Sequence, residues 1–312
     1  MKRAVITGPT GAIGTALIEY LENKGIEVVA VVRPNSKRAD RIRESRLVRK
    51  VECDLSDLRE LPKIIEGGAD VFYHFGWEGT FGSSRNDMYL QNKNIKYALD
   101  AVEAAAALGC KRFVGAGSQA EYGRFEGKLN DKTPAFPENG YGIAKLCAGQ
   151  MTGILAEQKG IEHIWTRILS IYGPYDGDNT MVTSTIRKLL AGETPSCTKG
   201  EQMWDYLYSK DAAKAMYLLG LKGVNGRMYC IGSGNAVPLR DYIDCIRKTV
   251  NPDAKVDYGA VPYSDRQVMY LCADIEALKN DTGFVPDYTF EQGIKETVDW
   301  NREICDGAVC SK

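Results

Sequence analysis

The chain has 312 residues, enough for one large domain or two small ones with a sizeable core. Its 40 basic and 41 acidic residues leave a formal charge of −1, which argues against nucleic acid or an acidic membrane as a partner and in favour of small molecules. Nine cysteines without a C-x-x-C pair, and His74 and His163 as the only histidines, point to reduced thiols in a cytosol and to no metal site.

From "MKR" the chain enters the apolar strand "AVIT" and a glycine-rich turn. It lacks the longer apolar stretch of a signal peptide or a bilayer span, so a cytoplasmic protein is expected. A helix through Leu21 follows, then the strand "EVVAVV", a charged stretch to Arg46, the strand "RKVECD" and the helical "LRELPKIIEG". "DVFYHF" reads as a strand before a long helix ending near Leu108. "RFVGAGS" reads as another, before a loop with Pro134 and Pro137, a helix over 141–159 and the strand "HIWTRIL". Apolar strands alternating with helices predict an α/β fold, a Rossmann-type doubly wound parallel sheet over residues 1–172. Past "YGPYDGD" the pattern shortens, which predicts a smaller mixed α/β substrate-binding lobe over residues 173–312.

Gly8, Gly11 and Gly14 lie between the first strand and its helix, where a pyrophosphate can rest on free N–H groups and the helix dipole. Their spacing is G-x-x-G-x-x-G, not G-x-G-x-x-G. Tyr141 and Lys145 are four apart and share a helix face, where the ammonium is expected to lower the phenol's pKa. Such a tyrosine exchanges a proton with an alcohol or carbonyl while a nicotinamide exchanges the hydride. Ser118 ends its strand at the edge of the ligand crevice and can hydrogen-bond the same oxygen.

These motifs stand in order with "CDL" at 53–55, "HFGW" at 74–77, "NIKYALDAVEAA" from Asn94, "GSQAEYG" at 117–123 and "YGIAK" at 141–145. They continue with "RILSIYGP" from Arg167, "GEQMWDYLYSKDAAKA" from Gly200 and "ADIEALKNDTGFVP" from Ala273. Together they resemble the extended short-chain dehydrogenase/reductase family of nucleotide-sugar epimerases, dehydratases and ketoreductases. The resemblance implies Ser118, Tyr141 and Lys145 as the catalytic triad, with Lys145 also on the nicotinamide ribose. It implies a dinucleotide seat of Gly8, Thr10, Gly11, Ile13, Gly14, Asp54, Leu55, Phe75, Gly76, Trp77 and Asn94. Asp54 would meet the adenine amino group or else cap "LSDLRE". It implies a nucleotide-sugar substrate touching Trp77, Gln119, Ser170, Trp204 and Arg266, and a homodimer built on the helices after Asn94 and Tyr141.

Dehydratases of the family carry a threonine and an acidic pair where this chain has Ser118, Gln119 and Ala120. Alanine transfers no proton, so 4,6-dehydration is not expected. Glu121, one position later, is assigned local hydrogen bonding or a substrate contact. Where NAD-specific members usually place an acid, this chain has Arg33, which favours the 2′-phosphate of NADP, with NAD possible. The basic run after it reads as a solvated helix face. Ser170 and Trp204 depart from the family's usual asparagine and arginine, and Trp204 also reads as core. His74 reads as a satisfied strand histidine. The order of preference is an NADPH-dependent reductase of a 4-keto nucleotide-sugar, then a 4-epimerase on retained cofactor, then a non-catalytic dinucleotide sensor.

Overall fold

The computed structural model describes residues 1–265 and 267–309. Six strands come from residues 3–168: β1 (Arg3–Thr7), β2 (Glu27–Val32), β3 (Val48–Glu52), β4 (Val71–His74), β5 (Arg112–Ser118) and β6 (Glu162–Ile168). A seventh, Met228–Ile231, joins them in one sheet, ordered from that edge as the seventh strand, β6, β5, β4, β1, β2, β3. All neighbouring pairs are parallel. The continuous apolar runs are explained by burial on both faces. Ala4, Ile6, Val28 and Ala30 enter one core, while the alternating Val5, Val29 and Val31 enter the other.

Helices α1 (Ala12–Asn23), α2 (Leu61–Ile64), α3 (Met88–Ala107) and α4 (Gly140–Lys159) cover the sheet. Leu17 and Leu21 of α1 share a core with Met216 and Leu219 of the helix Ser209–Lys222. On the opposite face Ala101, Val102, Ala104 and Ala105 of α3 pack over Val5, Phe72 and Phe113. The side chain of Asn139 accepts the Gly142 N–H to start α4, and Gly160, at φ 69°, ends it in the left-handed region.

Two expectations need correction. The cut at residue 172 does not follow the chain, because residues 209–231 return to the large sheet as a covering helix and an edge strand. The stretch to Arg46 holds only a 3-10 turn at Ala39–Arg41, and "LRELPKIIEG" splits into a 3-10 turn, Leu55–Glu60, and the four-residue α2 with its proline at the start. The remaining C-terminal segments form short strands and helices around Tyr172, Ile186, Tyr208, Ile294 and Val298. The strand β7 (Ser170–Tyr172), paired with Tyr206–Tyr208, joins this lobe to the sheet.

Successive strands run outward from β1 on one side and from β4 on the other, so the order reverses between them. The crevice beyond their carboxyl ends is where such sheets bind ligands. Thr7 Oγ1 and His74 Nδ1, 2.9 Å apart, stitch the two strands together there. Among the described residues no helix is long and apolar enough to cross a membrane.

Candidate active site

The crevice begins with the glycine loop. Gly8 has φ +65°, and a Cβ there would lie 2.7 Å from the backbone of Phe75 and Gly76. A Cβ on Gly14 would lie 2.7 Å from the backbone of Pro9. The loop can therefore wrap tightly against β4 and α1 only without those side chains. Gly11 brings no side-chain cap to α1, so the first-turn N–H groups are left for a ligand. Arg41, from the stretch read as a solvated face, donates to the Thr10 carbonyl at 3.0 Å and holds the loop.

Two clefts meet at Gly8 and Trp77. The first, about 600 Å³, is lined by Thr10, Arg33, Ser36, Lys37, Arg38, Asp54, Leu55 and Gly76. The second, about 300 Å³, is lined by Gly11, Ile13, Gly14, Phe75, Ser118, Tyr141, Lys145 and Asp176. An elongated path past a glycine cradle and a helix N-terminus has the shape to hold a dinucleotide. Asp54 caps the turn that follows β3, its Oδ1 accepting from Ser56 N and Oγ, each at 3.0 Å, and the residue also lines the first cleft.

Strand β5 delivers Ser118 to the second cleft, and one face of α4 delivers Tyr141 and Lys145. The buried Lys145 ammonium donates to the Ala116 carbonyl at 2.5 Å and lies 3.7 Å from the Trp77 ring centroid. Burial pushes its pKa down to about 7, offset in part by the charge of Glu121. Burial also raises the pKa of Tyr141, opposed first by the Ser118 hydroxyl and then by Arg85. The expected lowering by Lys145 is thus not met, since the ammonium is turned to a carbonyl and an indole. The cation acting on the phenol is Arg85, whose guanidinium lies 4.4 Å from the ring centroid. No local pattern in "GSSRND" pointed to it.

Trp77 is a wall of both clefts, with its N–H on Gln91 Oε1 at 2.9 Å and its ring edge-on to Tyr141 at 6.1 Å. Asn94, expected at the cofactor, supports the loop behind Trp77. Its Oδ1 accepts from Glu78 N at 2.9 Å, and its Nδ2 donates to the carbonyls of Glu78 and Leu90, at 2.9 and 3.1 Å. His74 is only half satisfied, for Nε2 is buried without a partner, and burial pushes its pKa down to about 3. Ser170, expected at the substrate, is half-buried on β7. Alternation along β7 puts Ile171 into the cleft and turns Ser170 to accept from the Trp204 indole at 2.8 Å. Trp204, half-buried, packs onto the small cluster around Leu271 and Ala273.

Gln119 is half-buried at the start of the 3-10 turn Gln119–Glu121. Arg266 lies outside the described residues. Asp176, not singled out beforehand, lines the catalytic cleft; burial raises its pKa to about 6, against hydrogen bonds from Gly177 N and Thr180 Oγ1. Among the described residues no group of three His, Cys, Asp or Glu side chains could hold a metal ion.

Residues 4–232 match the family described as NAD dependent epimerase/dehydratase. CDP-abequose synthase of Salmonella muenchen is 23% identical over 95% of this chain and 96% of its own length. A UDP-N-acetylglucosamine 4-epimerase from Methanobrevibacter ruminantium shares the fold at a TM-score of 0.87, with 23% identity over 97% of this chain and 99% of that one. A dTDP-glucose 4,6-dehydratase from Streptomyces venezuelae, solved with NAD bound, shares it at 0.84, with 21% identity over 96% of this chain and 97% of that one.

Proposed function

Because the chain belongs to the NAD-dependent epimerase/dehydratase family, we propose that it is an NADPH-dependent reductase of a 4-keto sugar carried on a nucleoside diphosphate. The observation that carries this reading is continuity. The cleft bearing Ser118, Tyr141 and Lys145 opens, at Gly8 and Trp77, into one lined by Arg33, Lys37 and Arg38. The nucleotide-sugar class is supported by the names of the relatives above.

When bound, NADPH supplies a hydride to the carbonyl carbon. Tyr141 then gives its phenolic proton to the developing alkoxide, and Ser118 holds the same oxygen by a hydrogen bond. Lys145, buried beside Trp77 with its ammonium 5.8 Å from the Tyr141 ring centroid, would exchange its Ala116 carbonyl for the ribose and assist return of the proton. The smaller lobe would seat the nucleotide and sugar.

The same proposal includes a homodimer through α3 and α4. Ile143, Met151 and Ile154 are exposed on α4 at spacings that share one face, which supports such pairing. A sedimentation measurement is expected to show two chains at micromolar concentration; a monomer there would remove the dimer.

The reaction is tested by screening nucleotide-sugars and their 4-keto forms while following nicotinamide absorbance and sugar product together. One NADPH oxidised per keto sugar reduced is the expected result. Interconversion of C4 epimers without net cofactor change would replace the reductase with an epimerase, and tight dinucleotide binding with neither reaction would leave the sensor reading.

A further inference from the structure

Behind Ser118 lies a buried ion pair that the proposed proton transfer does not itself use. Glu121 is fully buried. Its Oε1 accepts from the Ser118 N–H at 2.8 Å and from the Trp165 indole N–H at 3.1 Å, and its Oε2 accepts from Arg167 Nε at 2.7 Å. All of these partners donate, so the surroundings satisfy a carboxylate and would leave an acid's O–H without an acceptor. Burial raises the Glu121 pKa, and Arg167 is the foremost influence opposing it.

The strand sequence makes room for this arrangement. Trp165 and Arg167 alternate onto one face of β6, in register with Gly115 and Gly117 of β5. A Cβ on Gly117 would fall 2.3 Å from Glu121 Oε1, and one on Gly115 would fall 2.4 Å from the Trp165 ring. The carboxylate thus occupies the space of a strand side chain, against the peptide leading to Ser118. On the other side of Gly117, Lys145 holds the Ala116 carbonyl.

We propose that Glu121 is a positioning residue of the catalytic centre, a buried carboxylate anchored by Arg167 that fixes the Ser118 peptide and faces Tyr141 and Lys145 with a permanent negative charge. This rests on reading those three residues as the proton-transfer group. Glu121 acts on both Tyr141 and Lys145 in the direction that retains the proton. The other titratable or charged groups around them are Arg85 from the turn Gly82–Asn86, His74 at the end of β4, Asp176 from the loop after β7, and Arg167 beyond Glu121. Of these carboxylates, Glu121 is the fully buried one.

The test needs no substrate. Phenolate absorbance is titrated for a protein and for its own Tyr141→Phe version, and the difference reports Tyr141 alone. Glu121→Gln keeps the shape and removes the charge, so the Tyr141 midpoint is expected to fall, by up to about one unit. The alkaline limb of turnover should move to lower pH with it. An unmoved midpoint in folded Glu121→Gln overturns the proposal, whatever the substrate proves to be. A lowered midpoint in a protein that reduces no keto sugar upholds the positioning role and overturns only the reaction. If Arg167, left unpaired, prevents folding, Glu121→Gln combined with Arg167→Met is titrated instead. A smaller fall in the same direction is expected there, because the opposing Arg167 charge goes as well, and its absence is equally fatal.

Discussion

Tyr141→Phe is expected to fold and to bind dinucleotide like the parent, yet to lose turnover by roughly 10²–10⁴-fold, the range for a positioned proton donor. That is about 3–5 kcal/mol of barrier. The ring has its own supports, independent of the hydroxyl. Trp77 meets it edge-on at 6.1 Å, and Arg85 lies 4.4 Å from its centroid. Phenylalanine retains both contacts, so the lost function isolates the proton. Burial raises the pKa of this phenol, which keeps it protonated at neutral pH and suited to act as an acid in a reduction. Single-turnover oxidation of NADPH, measured beside cofactor affinity, checks the expectation. Turnover close to that of the parent would end the assignment of Tyr141.

What could be read before folding was local. Tyr141 and Lys145 announce a shared face by their spacing, the three glycines announce a strand-to-helix turn, and Ser118 announces a strand end; each pattern fits within a few residues. Their energetics were less legible. The same spacing suggested that Lys145 lowers the phenol's pKa, but burial dominates both groups and the ammonium binds the Ala116 carbonyl instead. Arg85, Asp176 and the Glu121–Arg167 pair come from separate elements, and only tertiary packing brings them to the cleft or behind it. Ser170 shows how much one residue of register decides, since its neighbour Ile171 takes the cleft side. The seventh strand was missed for a similar reason: a parallel edge is completed by a distant crossover, and nothing local in "MYCI" names β6 as its neighbour.

NADPH is expected to bind more tightly than NADH by roughly ten- to a hundredfold, the effect of hydrogen bonds to a charged group worth about 1.5–3 kcal/mol. The backbone makes the rim basic. Arg33 is the first residue past β2, and Asn35, at φ 57°, turns the chain so that Ser36 N–H meets the Arg33 carbonyl at 3.1 Å. That turn places Ser36, Lys37 and Arg38 along the same cleft as Arg33. The run 33–38 that follows β2 contains no acidic residue to accept from the ribose hydroxyls and repel a 2′-phosphate. Arg33→Asp is therefore expected to reverse much of the preference, because it replaces attraction with repulsion at one point. Lys37→Ala or Arg38→Ala should shift it less, because each removes one charge from the rim without adding a repelling one. Titrating both cofactors at low and moderate salt separates these terms, for a preference that rests on the 2′-phosphate must shrink as salt rises. Equal affinities would also remove the reason for ranking reductase above epimerase. Net reduction draws a fresh reductant from solution each cycle, so selectivity for NADPH matters to it, whereas an epimerase that regenerates its own cofactor has no such need.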